Sequence, residues 1–213
     1  MTALVALGLI GVAVALLRGG SFAGWARIHV RWPALALGSL GVQLLLHNSP
    51  TDHQAWAIAW GPIIWTACLA ILCAVLLRNA LATRATRYPW LLAAVGVGLN
   101  LLVVVANGGF MPQSADARMA ARGAPIATDQ SSGPQLRNIV VMNDATRLSL
   151  IGDVIAEPAW FPNANVLSLG DLLLGLGLAW WAFGITLSAP RRAARPWSSS
   201  PSLRFEEPVR LAD

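Results

Sequence analysis

The chain has 213 residues, 56% of them hydrophobic and only 12% charged, with a formal net charge of +5. A soluble domain carries about 25% charged residues, so this composition excludes an ordinary water-soluble fold and points to one membrane-embedded domain. All fifteen basic residues are arginines, scattered between apolar runs, which suits membrane topology and not a nucleic-acid-binding patch.

The first apolar run, Thr2–Leu17, lacks the positive leading segment of a signal peptide. Its charges, Arg18, Arg27 and Arg31, come afterwards, so it reads as a retained span. A second span, Ile28–Leu46, reaches length by including Arg31 and Trp32, which suit an interface. The third, Ala55–Leu77, holds Cys68 and Cys73. Five apart on a helix, these face different ways, and no nearby His or Cys completes a metal site, so both read as apolar filler. The fourth and fifth spans are Trp90–Asn107 and Val166–Leu187. A helix needs about 20 residues to cross a ~30 Å hydrocarbon core.

The expected architecture is therefore all-α: an integral membrane bundle of five transmembrane helices over residues 1–188, with a long extracytoplasmic loop at about 108–162. A disordered cytoplasmic tail, rich in Ser, Pro and charge, follows over 189–213. Segments 18–32 and 78–88 each carry three arginines, 48–54 carries none, and the tail carries five. Under the positive-inside rule this alternation places the N-terminus outside the cell membrane and the C-terminus in the cytoplasm. Pairs of small residues four apart (Ala34 and Gly38, Ala57 and Gly61, Ala94 and Gly98, Gly175 and Ala179) predict close helix packing.

Few polar residues interrupt the spans, and buried polar groups in lipid must find partners. Gln43 and His47 lie one turn apart near the outer end of span two. Asn100 and Asn107 share a face of span four. In NVLSLGDLLL, Ser168 and Asp171 read as a capping box, with Ser168 at the N-cap and the Asp171 carboxylate serving the first turn of span five. With Arg147 and Asn165, these residues outline an outward-facing polar pocket. His47 and His53 lack the fixed spacing of a metal pair, and no metal or cofactor is expected.

The outer loop divides into three. NGGFMP, Asn107–Pro112, is a glycine-permitted tight exit from span four. DARMAARGAPIATDQSSGPQ is polar and small, expected to be mobile. In IVVMNDATRLSLIGDVIAEP, Asn143 or Asp144 would cap a surface-lying amphipathic helix carrying Leu148, Ile151 and Ile155. That helix would bring Asp153 near the start of span five, with Arg147 as counter-ion to Asp144, Asp153 or Asp171.

ANGGFMP, DATRLSLIGDVI and NVLSLGDLLLGLG, taken in order across Trp90 to Trp181, resemble a bacterial membrane family known as a domain of unknown function (number 5317). That resemblance implies a membrane location and no particular activity. GDVI and NVLSLGD are also similar to the two aspartate stretches of lipoprotein signal peptidases. Here Asp171 falls a turn later than the Asn-x-x-Asp pattern of those enzymes, and NGGF only echoes their Asn-x-Gly-Ala-Ala-Phe motif.

Two functions follow. The first is a binding or assembly protein, with the bilayer and another membrane protein or a lipid-linked ligand as partners and no nucleic acid. The alternative is an aspartyl hydrolase or peptidase at the outer membrane face, using Asp153 and Asp171 as catalytic residues. A transporter subunit is disfavoured because no charged residue lies in the inner half of a span. Asp153 paired with Arg147 or with backbone N–H groups would favour the first reading. Carboxylates facing each other across an open, water-accessible pocket, with no Arg between them, would favour the second.

Overall fold

The computed structural model of the chain describes residues 2–46, 51–124 and 138–188. Helix α1 covers Thr2–Leu17, α2 Pro33–Leu46, α3 Ala55–Ala82, α4 Arg87–Ala106, α5 Ala115–Arg122 and α6 Leu169–Leu187. Strands β1 (Met111–Gln113), β2 (Ile139–Val141), β3 (Asp153–Ala156) and β4 (Val166–Ser168) form one mixed sheet in the order β2-β1-β3-β4. β1 pairs in parallel with both β2 and β3, and β3 pairs antiparallel with β4.

The sheet corrects the all-α expectation. Its strands are three or four residues long; β3 and β4 pair as a hairpin across 157–165, while β1 draws its partners from more distant segments. Buried backbone N–H and C=O groups need partners, and the loop between α4 and α6 closes them by pairing.

The count of five spans is corrected too. Three stretches are long and apolar enough to cross a membrane: Ala55–Ala82, Arg84–Ala106 and Leu169–Leu187. The other two apolar helices, α1 and α2, are shorter. The expected second span loses residues 28–32, which are not helical. Trp32 takes φ 57°, and Pro33 begins α2 at a position suited to its fixed φ. Asn79 of α3 holds this segment: its amide accepts from the Arg31 N–H at 2.7 Å and donates to the Arg31 carbonyl at 3.0 Å.

Helix α4 packs against α3 and α6, α6 also against α1, and α3 against α2. The core is Trp65, Leu69, Leu76, Trp90, Val97 and their neighbours from α3 and α4. The α4–α6 contact is backbone-close, because a Cβ at Gly96 would fall 2.5 Å from the Leu174 nitrogen and one at Gly177 2.6 Å from the Ala93 nitrogen. The sheet sits at the end of the bundle where α4 stops and α6 starts. After α4 the chain turns through Gly108 (φ 69°) and Gly109 (φ 94°) into β1, as the paired glycines predicted. β4 runs directly into α6.

Two loop expectations also change. Residues 115–122, read as mobile, form α5, with the Ser114 hydroxyl accepting the Ala117 N–H and Gly123 closing the helix at φ 63°. The surface helix expected from Asn143 does not form. Asn143 accepts the Ala145 N–H, and Thr146 accepts the Asn143 N–H, each at 2.9 Å, a local turn that competes with helix. Leu148 then takes φ 56°, a short 3-10 turn follows, and Asp153 opens β3. The tail from 189 lies outside the described residues.

Candidate functional site

Asp171 stands in the first turn of α6. Its Oδ2 accepts the Ser168 N–H at 3.1 Å, and the Ser168 hydroxyl accepts the Asp171 N–H at 2.9 Å, the reciprocal capping box that the spacing predicts. A third residue joins from α4. Asn100 donates from Nδ2 to Asp171 Oδ1 at 2.8 Å, and its Oδ1 accepts the Ser168 hydroxyl at 2.8 Å. Both Ser168 and Asn100 are buried. The carboxylate is thereby fixed by two helices at once.

Asp153 reaches the same place through the sheet. It lies in register with Gln113 of β1 and with Ser168 of β4, so strand pairing sets it over the start of α6. Its Oδ2 accepts from Gln113 Nε2 at 3.2 Å, and Gln113 Oε1 accepts from Arg118 Nη1 at 3.2 Å. Asp153 is 7% exposed. Burial, and then the nearby Asp171 charge, push its carboxyl up to about 7, against the opposing pull of the Gln113 hydrogen bond. Desolvation and like charge both disfavour ionisation.

Both carboxylates line one cavity of about 400 Å³ between the sheet and the helices. Asn100, Gln43 and Asn165 line it as well, as do Arg118 and Arg122 of α5. Its floor is apolar: Leu40, Trp65, Leu69, Leu72 and Leu174. Trp65 donates from its indole to Gln43 Oε1 at 3.2 Å, fixing the Gln43 amide at the apolar edge. Arg122 reaches Asn165 Oδ1 at 3.5 Å, while the Asn165 N–H donates to Glu157 at 2.7 Å.

The other expected pocket residues lie elsewhere. Asn107 and Arg147 are not among the cavity's lining residues. Asn107 donates to the Arg147 carbonyl at 2.9 Å and accepts the Arg147 N–H at 3.0 Å, which fastens the loop to the end of α4. The expected pairing of Asp153 with Arg147 gives way to Gln113. His47 lies outside the described residues.

Gln113, Arg118 and Arg122 are site residues that the sequence reading missed. Only one signal pointed to them: Ser114 as an N-cap followed by Arg118 and Arg122 four apart, which puts both on one helix face.

Residues 27–183 match the model of a family of unknown function, DUF5317. The chain belongs to that family. No curated protein and no solved structure matches it. The family's matched region contains the whole carboxylate cavity, from Leu40 to Leu174.

Proposed function

We propose that this DUF5317 protein is an aspartyl hydrolase of the membrane surface. It would cleave an amide or ester bond in an amphipathic substrate whose apolar part rests on the floor of the cavity. The observation that carries this reading is that Asp153 and Asp171 line one cavity, with Asp153 pushed up to about 7. A carboxyl that holds its proton near neutral pH beside a second carboxylate supplies an acid and a base together. In this scheme protonated Asp153 donates to the carbonyl oxygen while ionised Asp171 takes a proton from the attacking water. The tetrahedral gem-diol then collapses: Asp171 gives its proton to the leaving group while Asp153 takes one back from a gem-diol hydroxyl, restoring the pair. Each Asp171 oxygen already accepts one hydrogen bond, and a carboxylate oxygen has room for a second. Gln113, held by Arg118, and Asn100, held by Ser168, position the pair.

A second reading has its own support. The capping box and Asn100 account for Asp171 without chemistry, and the same cavity then serves to bind a lipid-linked ligand or to dock another membrane protein. Membrane lipids and membrane-anchored peptides compared by mass spectrometry between cells carrying wild type, Asp153→Asn or Asp171→Asn separate the two. The hydrolase reading expects one precursor to accumulate equally in both variants and in the double variant, because groups that act as a unit are not additive. It also expects purified wild type to convert that precursor. Identical profiles in all strains would leave only the binding reading.

A further inference from the structure

The end of the bundle opposite the sheet is built from arginine-bearing connections. Residues 18–32, 78–90 and 184–188 meet there. They contain Arg18, Arg27, Arg31, Arg78, Arg84 and Arg87, and no Asp or Glu. The connection after α1 is fixed in place. Ser21 N–H donates to the Thr186 carbonyl at 2.8 Å, and the Trp25 indole donates to the Thr186 hydroxyl at 3.0 Å. Asn79 holds Arg31 from the other side. Between these anchors the chain arches over α3, α4 and α6 and leaves a second cavity of about 370 Å³.

The cavity has two characters. Its polar side carries Arg27, His29, Thr83, Thr86 and Ser188. His29 Nδ1 lies 3.1 Å from the Arg27 backbone carbonyl, which fixes the imidazole against the chain at Arg27. Its apolar side includes Val30, Trp90 and Trp181, and the two indoles pack with centroids 4.9 Å apart and planes tilted by 53°. Those same three residues also line an apolar groove of about 570 Å³ that continues between α1, α2, α3 and α6 past Leu9, Leu76 and Leu178. The cationic, hydroxyl-bearing mouth and a slot of hydrocarbon dimensions therefore share the wall formed by Val30, Trp90 and Trp181.

We propose that this cavity binds an anionic phospholipid. Arg27, His29 and the neighbouring hydroxyls hold the phosphate, and one acyl chain lies in the groove beyond Trp90 and Trp181. A phosphate oxygen needs donors and positive charge, which this mouth supplies with no carboxylate in its lining. Leu40, Leu72 and Leu174 line both this groove and the carboxylate cavity. There Asp153 and Asp171 oppose an anionic head, so the headgroup belongs at the arginine end. Juxtamembrane cations favour anionic over zwitterionic lipid. This site is independent of any chemistry at the carboxylate pair.

Native mass spectrometry of the full detergent-solubilised chain tests the proposal, with phosphatidylglycerol, phosphatidylcholine and inorganic phosphate as probes. The wild-type chain is expected to retain one phosphatidylglycerol roughly tenfold more tightly than phosphatidylcholine, and to show no retention of inorganic phosphate. The double variant Arg27→Ala with His29→Ala, both at exposed positions, is expected to lose that preference. Arg84→Ala, exposed at the same end but outside the lining, is expected to keep it. Equal retention of the two lipids by wild type would overturn the proposal, and that comparison needs no variant. An equal loss in Arg84→Ala would reduce it to diffuse surface charge, and phosphate retained like the lipid would assign the cavity to a free anion; either result rejects the phospholipid site.

Discussion

At the scale of single residues, Asp153 is the group whose ionisation the fold opposes. Its ordinary pKa is 3.8, and burial with the Asp171 charge raises it to about 7. The folded state therefore binds more protons than the unfolded chain between these values. By linkage, this group makes stability fall as pH rises from about 4 to about 7, after which its contribution is constant. Asp153→Asn removes the ionisation while keeping a hydrogen-bond acceptor for Gln113. The variant is expected to melt higher than wild type at pH 8, with a shallower decline between pH 5 and 7. Thermal denaturation in detergent across that range checks this, and an unchanged slope in the variant would sink the assignment. Asp171 contrasts with it. Ser168 and Asp171, three apart at the head of an apolar run, announce a cap from sequence alone, and the cap is present. The role of Gln113 was not legible, because it arises only from the register that sets Gln113 beside Asp153. No local pattern carries that register.

At the scale of elements, the same division holds. Long apolar runs set α3, α4 and α6 close to their expected bounds. Strands of three or four residues are too short for alternation to show, and IVV or DVI reads equally well as part of a helix. The helix contacts were legible only in kind. Of the small residues that predicted close approach, Ala179 meets α1 at Gly11, where a Cβ would fall 2.5 Å from its carbonyl oxygen, yet Gly38 meets nothing within 4 Å, and Gly98 only the Cys73 sulfur at 3.8 Å. The tight seam instead runs through Gly96, Gly170 and Gly177, which no four-residue spacing picked out. A methyl at Gly170 would overlap the Asn100 amide and lie 2.5 Å from the Gly96 carbonyl. Gly170→Ala is expected to destabilise the protein by about 1–3 kcal/mol through overpacking. It should also pull Asn100 off Asp171 and so disturb the carboxylate site. Gly38→Ala, on an open face of α2, is expected to be neutral or mildly stabilising, because alanine is the better helix former. Matched melting curves of the two variants decide it; equal losses would mean that the α4–α6 seam is not under steric constraint.

At the scale of the whole molecule, the two ends of the bundle differ in charge and in architecture. The sheet end gathers Asp52, Asp116, Asp153, Glu157 and Asp171, while the other end carries arginines without a carboxylate in residues 18–32 and 78–90. Short arginine-rich connections remain on the cytoplasmic side during insertion. The positive end is thus expected inside and the sheet with α5 outside, whether or not the shorter helices α1 and α2 cross the full hydrocarbon thickness. That orientation decides where any substrate of the carboxylate cavity would be found. Single cysteines at Ala120 on α5 and at Arg84 between α3 and α4, both exposed, test it once Cys68 and Cys73 are replaced by serine. A membrane-impermeant maleimide is expected to label the Ala120 position in intact cells and the Arg84 position only after permeabilisation. The reverse pattern would invert the protein and place the cavity in the cytoplasm.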